Sequence, residues 1–124
     1  MNNTLLKDIG LAVLRIGASA MMLVHGYGKL LKLINGEGFA NPIGIGETPS
    51  LFLTVIGEFV CPILIIIGLK TRLAAIPTII TMVVAAFVVH GADPFQKKEL
   101  ALVYLLLFAV IALVGPGKFS IDKR

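Results

Sequence analysis

Three ionisable side chains, His25, Glu58 and His90, lie within or at the edge of long apolar segments of this sequence. A charged side chain near the centre of a bilayer costs at least about 2.5 kcal/mol, so such residues usually have a function. Burial disfavours the charged form of a carboxylic acid, and histidine titrates near neutrality, which suits coupled proton movement. We therefore expect these three residues to be catalytic.

Helical spacing places further polar groups on the same face as His25. Met22, His25 and Lys29 are separated by three and four residues, and Arg15 precedes Met22 by seven. Residues with this spacing share one side of an α-helix. We expect that side to point into a helical bundle.

Three cations, Arg15 and Lys29 on this face and Arg72 in a later connection, are expected to have structural or pairing roles. Arg15 either neutralises Glu58 or extends its long side chain towards the headgroups. Lys29 is expected to anchor its helix at the membrane interface or to pair with an acid, and Arg72 is assigned a structural or pairing role.

The elements that position these groups are apolar segments. Of the 124 residues, 57% are hydrophobic and 15% are charged, whereas soluble domains have about 25% charged residues. Each segment approaches the roughly 20 residues that cross a bilayer, and the last two are slightly short. We predict an all-α integral membrane four-helix bundle, a single domain over residues 1–124, with spans at 9–31, 51–69, 73–89 and 100–114.

The connections predict an up-down-up-down topology. The Gly-rich segment 32–50 is expected to lie outside the membrane or to re-enter it, and residues 70–72 form a tight turn. The positive residues divide six to four between the two sides, which favours a cytoplasmic location of both termini. The six are Lys7, Lys70, Arg72, Lys118, Lys123 and Arg124; the four are Lys29, Lys32, Lys97 and Lys98.

In this topology the polar residues of all four helices meet in the outer half of the membrane. His25 and His90 lie about 24 and 27 Å from the cytoplasmic starts of their spans. Pro62 removes the amide that would bond to the Glu58 carbonyl and is expected to bend the helix there. The predicted cofactor-binding residues are His25, Glu58, His90, Glu99 and Tyr104.

Other function classes are disfavoured. The net charge of +4 reflects basic residues at the span ends, so no nucleic-acid partner is expected. Cys61 has no partner cysteine, two isolated histidines give little reason to expect haem, and no metal site is predicted. Arg15 interrupts a segment that imitates a signal peptide, so the first helix is expected to be uncleaved.

The chain resembles the DoxX family of small membrane proteins over nearly its whole length. The resemblance rests on LRIG at 14–17, HGYGKL at 25–30, IGE at 56–58, GLKTRLAA at 68–75, residues 82–90, KELA at 98–101 and GPGKFSID at 115–122. It implies a four-helix protein of the prokaryotic cytoplasmic membrane. The family takes its name from a subunit of a thiosulfate:quinone oxidoreductase, and its members are described as membrane partners of redox or detoxification enzymes.

Three functions follow as hypotheses. The first is the membrane subunit of a quinone-linked oxidoreductase, with a quinone in the outer polar pocket. The second is a non-catalytic membrane anchor or assembly partner of a redox enzyme. The third is a small-molecule transporter, since a bent helix with a buried acid is a feature of transport proteins. A soluble or membrane redox enzyme and a second copy of the chain are the candidate protein partners.

Overall fold

The computed structural model describes residues 3–36 and 44–122, which form a bundle of four helices. These are α1 (Asn3–Asn35), α2 (Glu47–Ile67), α3 (Thr71–Val89) and α4 (Phe95–Val114). The predicted all-α, up-down-up-down bundle is confirmed. The helices extend beyond several predicted span ends, because hydropathy marks the apolar part of a helix, whereas polar residues continue its hydrogen bonding. The predicted loop 32–50 is therefore shorter, and its residues 37–43 lie outside the described part.

Three of these helices, α1, α2 and α3, are long and apolar enough to cross a membrane. The fourth has 20 residues, carries Lys97, Lys98 and Glu99 near its start, and packs mainly along α3. Large apolar side chains cover the outside of the bundle; Val24 is 75% exposed and Leu113 78%. Such a surface is suited to lipid.

The core lies where all four helices approach one another. Met22, Ile65, Ala75, Phe108 and Ile111 are almost fully buried there. Small residues in the core of a membrane bundle allow backbones to approach closely, so van der Waals packing holds the helices together.

Two helices contain a wider, π-helical turn: Ile56–Val60 in α2 and Ala85–Val89 in α3. In the first, the Cys61 amide donates to the carbonyl of Ile56, five residues back. Pro62 has no amide that could donate to the Glu58 carbonyl, so one hydrogen bond of a regular α-helix is missing beside this π-turn. Single π-turns often occur at functional sites, and both of these lie beside the polar cavity described below.

The residues after α4 fold back over the end of the bundle where α2 meets α3. Amides of Ile121 and Asp122 donate to the carbonyls of Ile67 and Gly68 at 3.2 and 2.9 Å. Gly68, with φ of 74°, turns the chain between the helices, and Ser120 occupies the space that a Cβ would need. The C-terminal tail, residues 115–122, thus closes the end of the bundle opposite the cavity.

Candidate functional site

A cavity of about 170 Å³ lies at the end of the bundle formed by the second half of α1, the π-turn of α2, the end of α3 and the start of α4. We call it the polar cavity. Its polar lining residues are His25, Lys29, Glu58, His90, Lys97 and Tyr104. Its apolar lining residues are Met22, Met82, Ala85, Leu100 and Ala101. Side chains from three helices and from the turn after α3 therefore converge on Glu58.

The deepest charged group of the cavity is Glu58, which is 2% exposed. The Lys29 ammonium donates to both of its carboxylate oxygens, at 2.8 and 2.7 Å. The lysine side chain is 32% exposed, so the pair connects the buried acid to the cavity mouth. Desolvation of the carboxylate is offset by an ammonium that contacts both oxygens.

The alternative that Glu58 pairs with Arg15 is wrong, because the partner of Glu58 is Lys29, which was expected either to anchor its helix or to pair with an acid. The guanidinium of Arg15 bonds to backbone carbonyls at Pro116, Phe119 and Ile66 and not to the carboxylate. The flexible stem of Lys29 instead brings its ammonium inward to the acid. That pairing joins α1 to α2 at the cavity.

Arg15, itself 2% exposed, holds the C-terminal tail. Its guanidinium donates to the carbonyls of Pro116 and Phe119, the latter at 2.7 Å, and more weakly to that of Ile66 at 3.4 Å. Several backbone carbonyls can satisfy a planar guanidinium together. The side chain therefore contacts the C-terminal tail and does not pair with Glu58.

Gly26 allows α1 to contact the π-turn of α2. A Cβ at this position would overlap the backbone carbonyl of Glu58. On the other side of the same turn, the Thr78 hydroxyl donates to the carbonyl of Gly57. Close packing on both sides fixes the backbone that carries the acid. Gly26 is the first glycine of the HGYGKL segment, but the sequence alone did not identify it as a residue of a helix contact.

An aromatic contact forms a second wall of the cavity. The rings of His25 and Tyr104 meet edge to face, with centroids 5.5 Å apart and an interplanar angle of 82°. Tyr104 is 4% exposed and packs against Phe108 behind it. A buried tyrosine is a rigid platform with one hydroxyl available for hydrogen bonding.

His90 lines the cavity from the turn that follows α3, and its ring is held by Asp93. The His90 Nδ1 and the Asp93 Oδ2 are 2.8 Å apart. The hydrogen bond from His90 lowers the pKa of Asp93, and the nearby charges of Lys97 and Lys98 lower it further. Asp93 is not among the residues that the sequence predicts for the site, because aspartate is common in turns.

Two of the selected residues lie away from the cavity. Glu99 is exposed on α4 and does not line it, because Leu100 and Ala101 take the inward positions. Arg72 lies at the opposite end, with its guanidinium against Gly115, whose φ is 82°. Within residues 3–36 and 44–122, no group of three or more His, Cys, Asp or Glu residues is placed to hold a metal ion.

Comparison with known proteins supplies the family. The DoxX family model matches residues 10–91, which include α2, α3 and most of α1. The chain belongs to the DoxX family. No solved structure matches this DoxX protein.

Three relatives of this DoxX protein come from bacteria. An uncharacterised protein of Haemophilus influenzae is 35% identical over 92% of this chain and 89% of its own length. Inner membrane protein YqjF of Escherichia coli is 27% identical over 95% and 93% of the two chains. An uncharacterised membrane protein of Mycobacterium tuberculosis is 31% identical over 72% and 64%. The chain is thus a multi-pass protein of the prokaryotic inner membrane.

Proposed function

We propose that this DoxX protein is the membrane subunit of a quinone-linked redox system and that the polar cavity binds the quinone headgroup. The observation that carries the proposal is a small cavity between lipid-facing helices, with a buried Glu58–Lys29 pair and a buried Tyr104 at its wall. Ligand sites in helical bundles are built in this way, from side chains on facing helices.

The size of the cavity suits one ring. A cavity of roughly 150 Å³ holds a single benzene ring, whereas drug-sized ligands need about 300–1,000 Å³. At about 170 Å³, the polar cavity matches a quinone ring and leaves no room for an isoprenoid chain. The chain would extend between the helices into the lipid.

The lining chemistry suits the two ring oxygens. The oxidised ring offers two carbonyl acceptors, and the reduced ring offers two hydroxyls. The Lys29 ammonium, the Tyr104 hydroxyl and the rings of His25 and His90 are the matching groups. Quinone reduction consumes two electrons and two protons; the ring itself supplies the redox chemistry, and the histidines exchange protons with it. A partner oxidoreductase is the electron donor or acceptor.

The test is mass spectrometry of the small molecules and proteins that copurify with gently solubilised protein. The wild type is compared with the double variant Lys29→Met, Glu58→Gln, which removes both charges of the cavity pair together. We expect quinone in the wild type and at least about a tenfold loss in the variant, because the variant lacks the charged Lys29 donor to a ring oxygen.

The matched control is the double variant Lys32→Met, Glu47→Gln. It makes the same two substitutions at exposed positions that do not line the cavity, and it should retain wild-type quinone. A stable partner protein without quinone in the wild type would contradict the proposal and support the membrane anchor instead.

A further inference from the structure

The contact between Asp93 and His90 constrains which ligand atoms His90 recognises. His90 directly follows the last residue of α3, and Asp93 comes three residues later in the same turn, where its amide donates to the His90 carbonyl at 3.0 Å. The two side chains meet at 2.8 Å with similar exposure, 38 and 37%. A backbone and a side-chain hydrogen bond therefore define the same turn.

The chemistry of the carboxylate determines which nitrogen of the ring carries hydrogen. An ionised carboxylate accepts hydrogen bonds and cannot donate them. The pKa of Asp93 lies below its usual value, so this group is ionised at neutral pH. The hydrogen between the two side chains therefore belongs to Nδ1 of His90. In the neutral ring, Nε2 is then an acceptor.

The remaining nitrogen is the one available to a ligand. His90 lines the polar cavity, whereas Asp93 does not. Nδ1 of the ring is engaged by Asp93, which leaves Nε2 as the ring nitrogen that a ligand in the cavity can meet. Lys97 and Lys98 at the start of α4 are the other charged groups acting on Asp93, and both favour its ionised form.

We propose that Asp93 is a positioning residue that fixes the neutral His90 ring as a hydrogen-bond acceptor towards the polar cavity, so that with this ring neutral the site prefers a ligand hydroxyl to a ligand carbonyl at this position. This inference rests on the proposed function and specifies it. The preferred ligand is the reduced quinol form of the ring. An oxidised ring presents a carbonyl lone pair to the Nε2 lone pair, and the two repel each other.

The first test reads the tautomer directly and needs no ligand. In ¹⁵N-histidine-labelled protein the two ring nitrogens differ in chemical shift according to which carries hydrogen. The chain has two histidines, so His25 is an internal reference in every spectrum. At alkaline pH we expect His90 to be the Nδ1–H tautomer in the wild type and in Asp93→Asn, whose amide oxygen also accepts a hydrogen bond. In Asp93→Ala we expect a mixture or the Nε2–H form.

The second test measures ligand preference in lipid nanodiscs at the same alkaline pH, at which the His90 ring is neutral. The probes are duroquinone and duroquinol, the latter kept reduced under nitrogen. We expect the wild type to bind duroquinol about fivefold more tightly, the value of one net hydrogen bond. The ratio should fall to near one in Asp93→Ala and remain in Asp93→Asn. Glu47→Ala removes an exposed carboxylate that does not line the cavity and should keep the wild-type ratio.

The outcomes separate this inference from the proposed function. An Nε2–H tautomer of His90 in the wild type, or an unchanged tautomer and binding ratio in Asp93→Ala, overturns the role of Asp93. If neither probe binds the wild type, the quinone proposal and the hydroxyl preference both fail. The spectra still decide whether Asp93 orients His90.

Discussion

Replacing Lys29 by methionine should destabilise the protein far more than an ordinary surface substitution. The change keeps the length and apolar character of the side chain but removes the ammonium that contacts both Glu58 oxygens. The acid is 2% exposed, so water cannot replace this partner without rearrangement of the helices. Removing one member of a buried pair costs about 3–5 kcal/mol. Because the lysine side chain is 32% exposed and water reaches the pair from its side, we expect about 3 kcal/mol.

Two further variants separate the ion pair from other effects. The double variant Lys29→Met, Glu58→Gln leaves no buried charge and should recover to within about 1 kcal/mol of the wild type, since neutral replacements of a buried pair are often tolerated. Lys32→Met makes the same substitution at an exposed position one turn further along α1 and should change stability by no more than about 0.5 kcal/mol.

The assay is unfolding by SDS titration in mixed micelles, followed by the loss of helical circular dichroism. The reasoning is refuted if Lys29→Met is no less stable than Lys32→Met. It is also refuted if the double variant is as unstable as Lys29→Met, because the buried charge would then not be the cause.

Three other predictions use the same comparisons. Gly26→Ala should lower the free energy of unfolding in the SDS titration by about 1–3 kcal/mol, because the added methyl group overlaps the Glu58 carbonyl. Gly28→Ala, whose methyl group meets no atom within 4 Å, should be neutral or slightly stabilising, and equal effects of the two substitutions would contradict the close contact. Arg15→Met should speed tryptic cleavage of the C-terminal tail at least about tenfold, because the guanidinium that bonds to the tail is lost. Ser19→Ala, which removes a buried hydroxyl that bonds to none of the described residues, should not change the cleavage rate. A tail equally protected in both variants would contradict the role of the guanidinium. Cys61 should react with maleimide only after unfolding in SDS because it is buried, and fast labelling of the folded protein would show that α2 packs differently.

The fold was predictable because lipid imposes simple rules on sequence. Long apolar segments and a short connection at residues 70–72 predict the helices and their directions. The same rules do not locate helix ends: α4 begins at Phe95, among polar residues that hydropathy assigns to a loop. The π-turn around Glu58 was also missed, since Pro62 predicts only a disturbance of regular hydrogen bonding and not its form.

The site was predictable in part. Helix direction predicted that five polar residues meet in the outer half of the membrane, and the structure places four of them, His25, Glu58, His90 and Tyr104, at one cavity and Glu99 outside it. Side-chain pairing was not accessible in this way. A lysine stem can point inward or outward from the same helical position, so the sequence left Lys29 between anchoring at the interface and pairing with an acid.

The contact of Arg15 with the C-terminal tail joins residues 101 and 104 positions apart through backbone carbonyls. No residue type in the tail predicts this contact, because every residue has a backbone carbonyl that could accept the hydrogen bond. The role of Asp93 was hidden for a different reason: aspartate is common in turns and needs no further partner there.

The central claim is that the polar cavity is the quinone-binding site, and photo-crosslinking with an azidoquinone in native membranes tests it most directly. The account predicts that mass spectrometry will find the label on peptides carrying His25, Glu58 or Tyr104, that excess duroquinol will compete it away, and that Lys29→Met, Glu58→Gln will reduce it. Label spread over lipid-facing residues such as Val24 and Leu113, with no competition, would contradict the account.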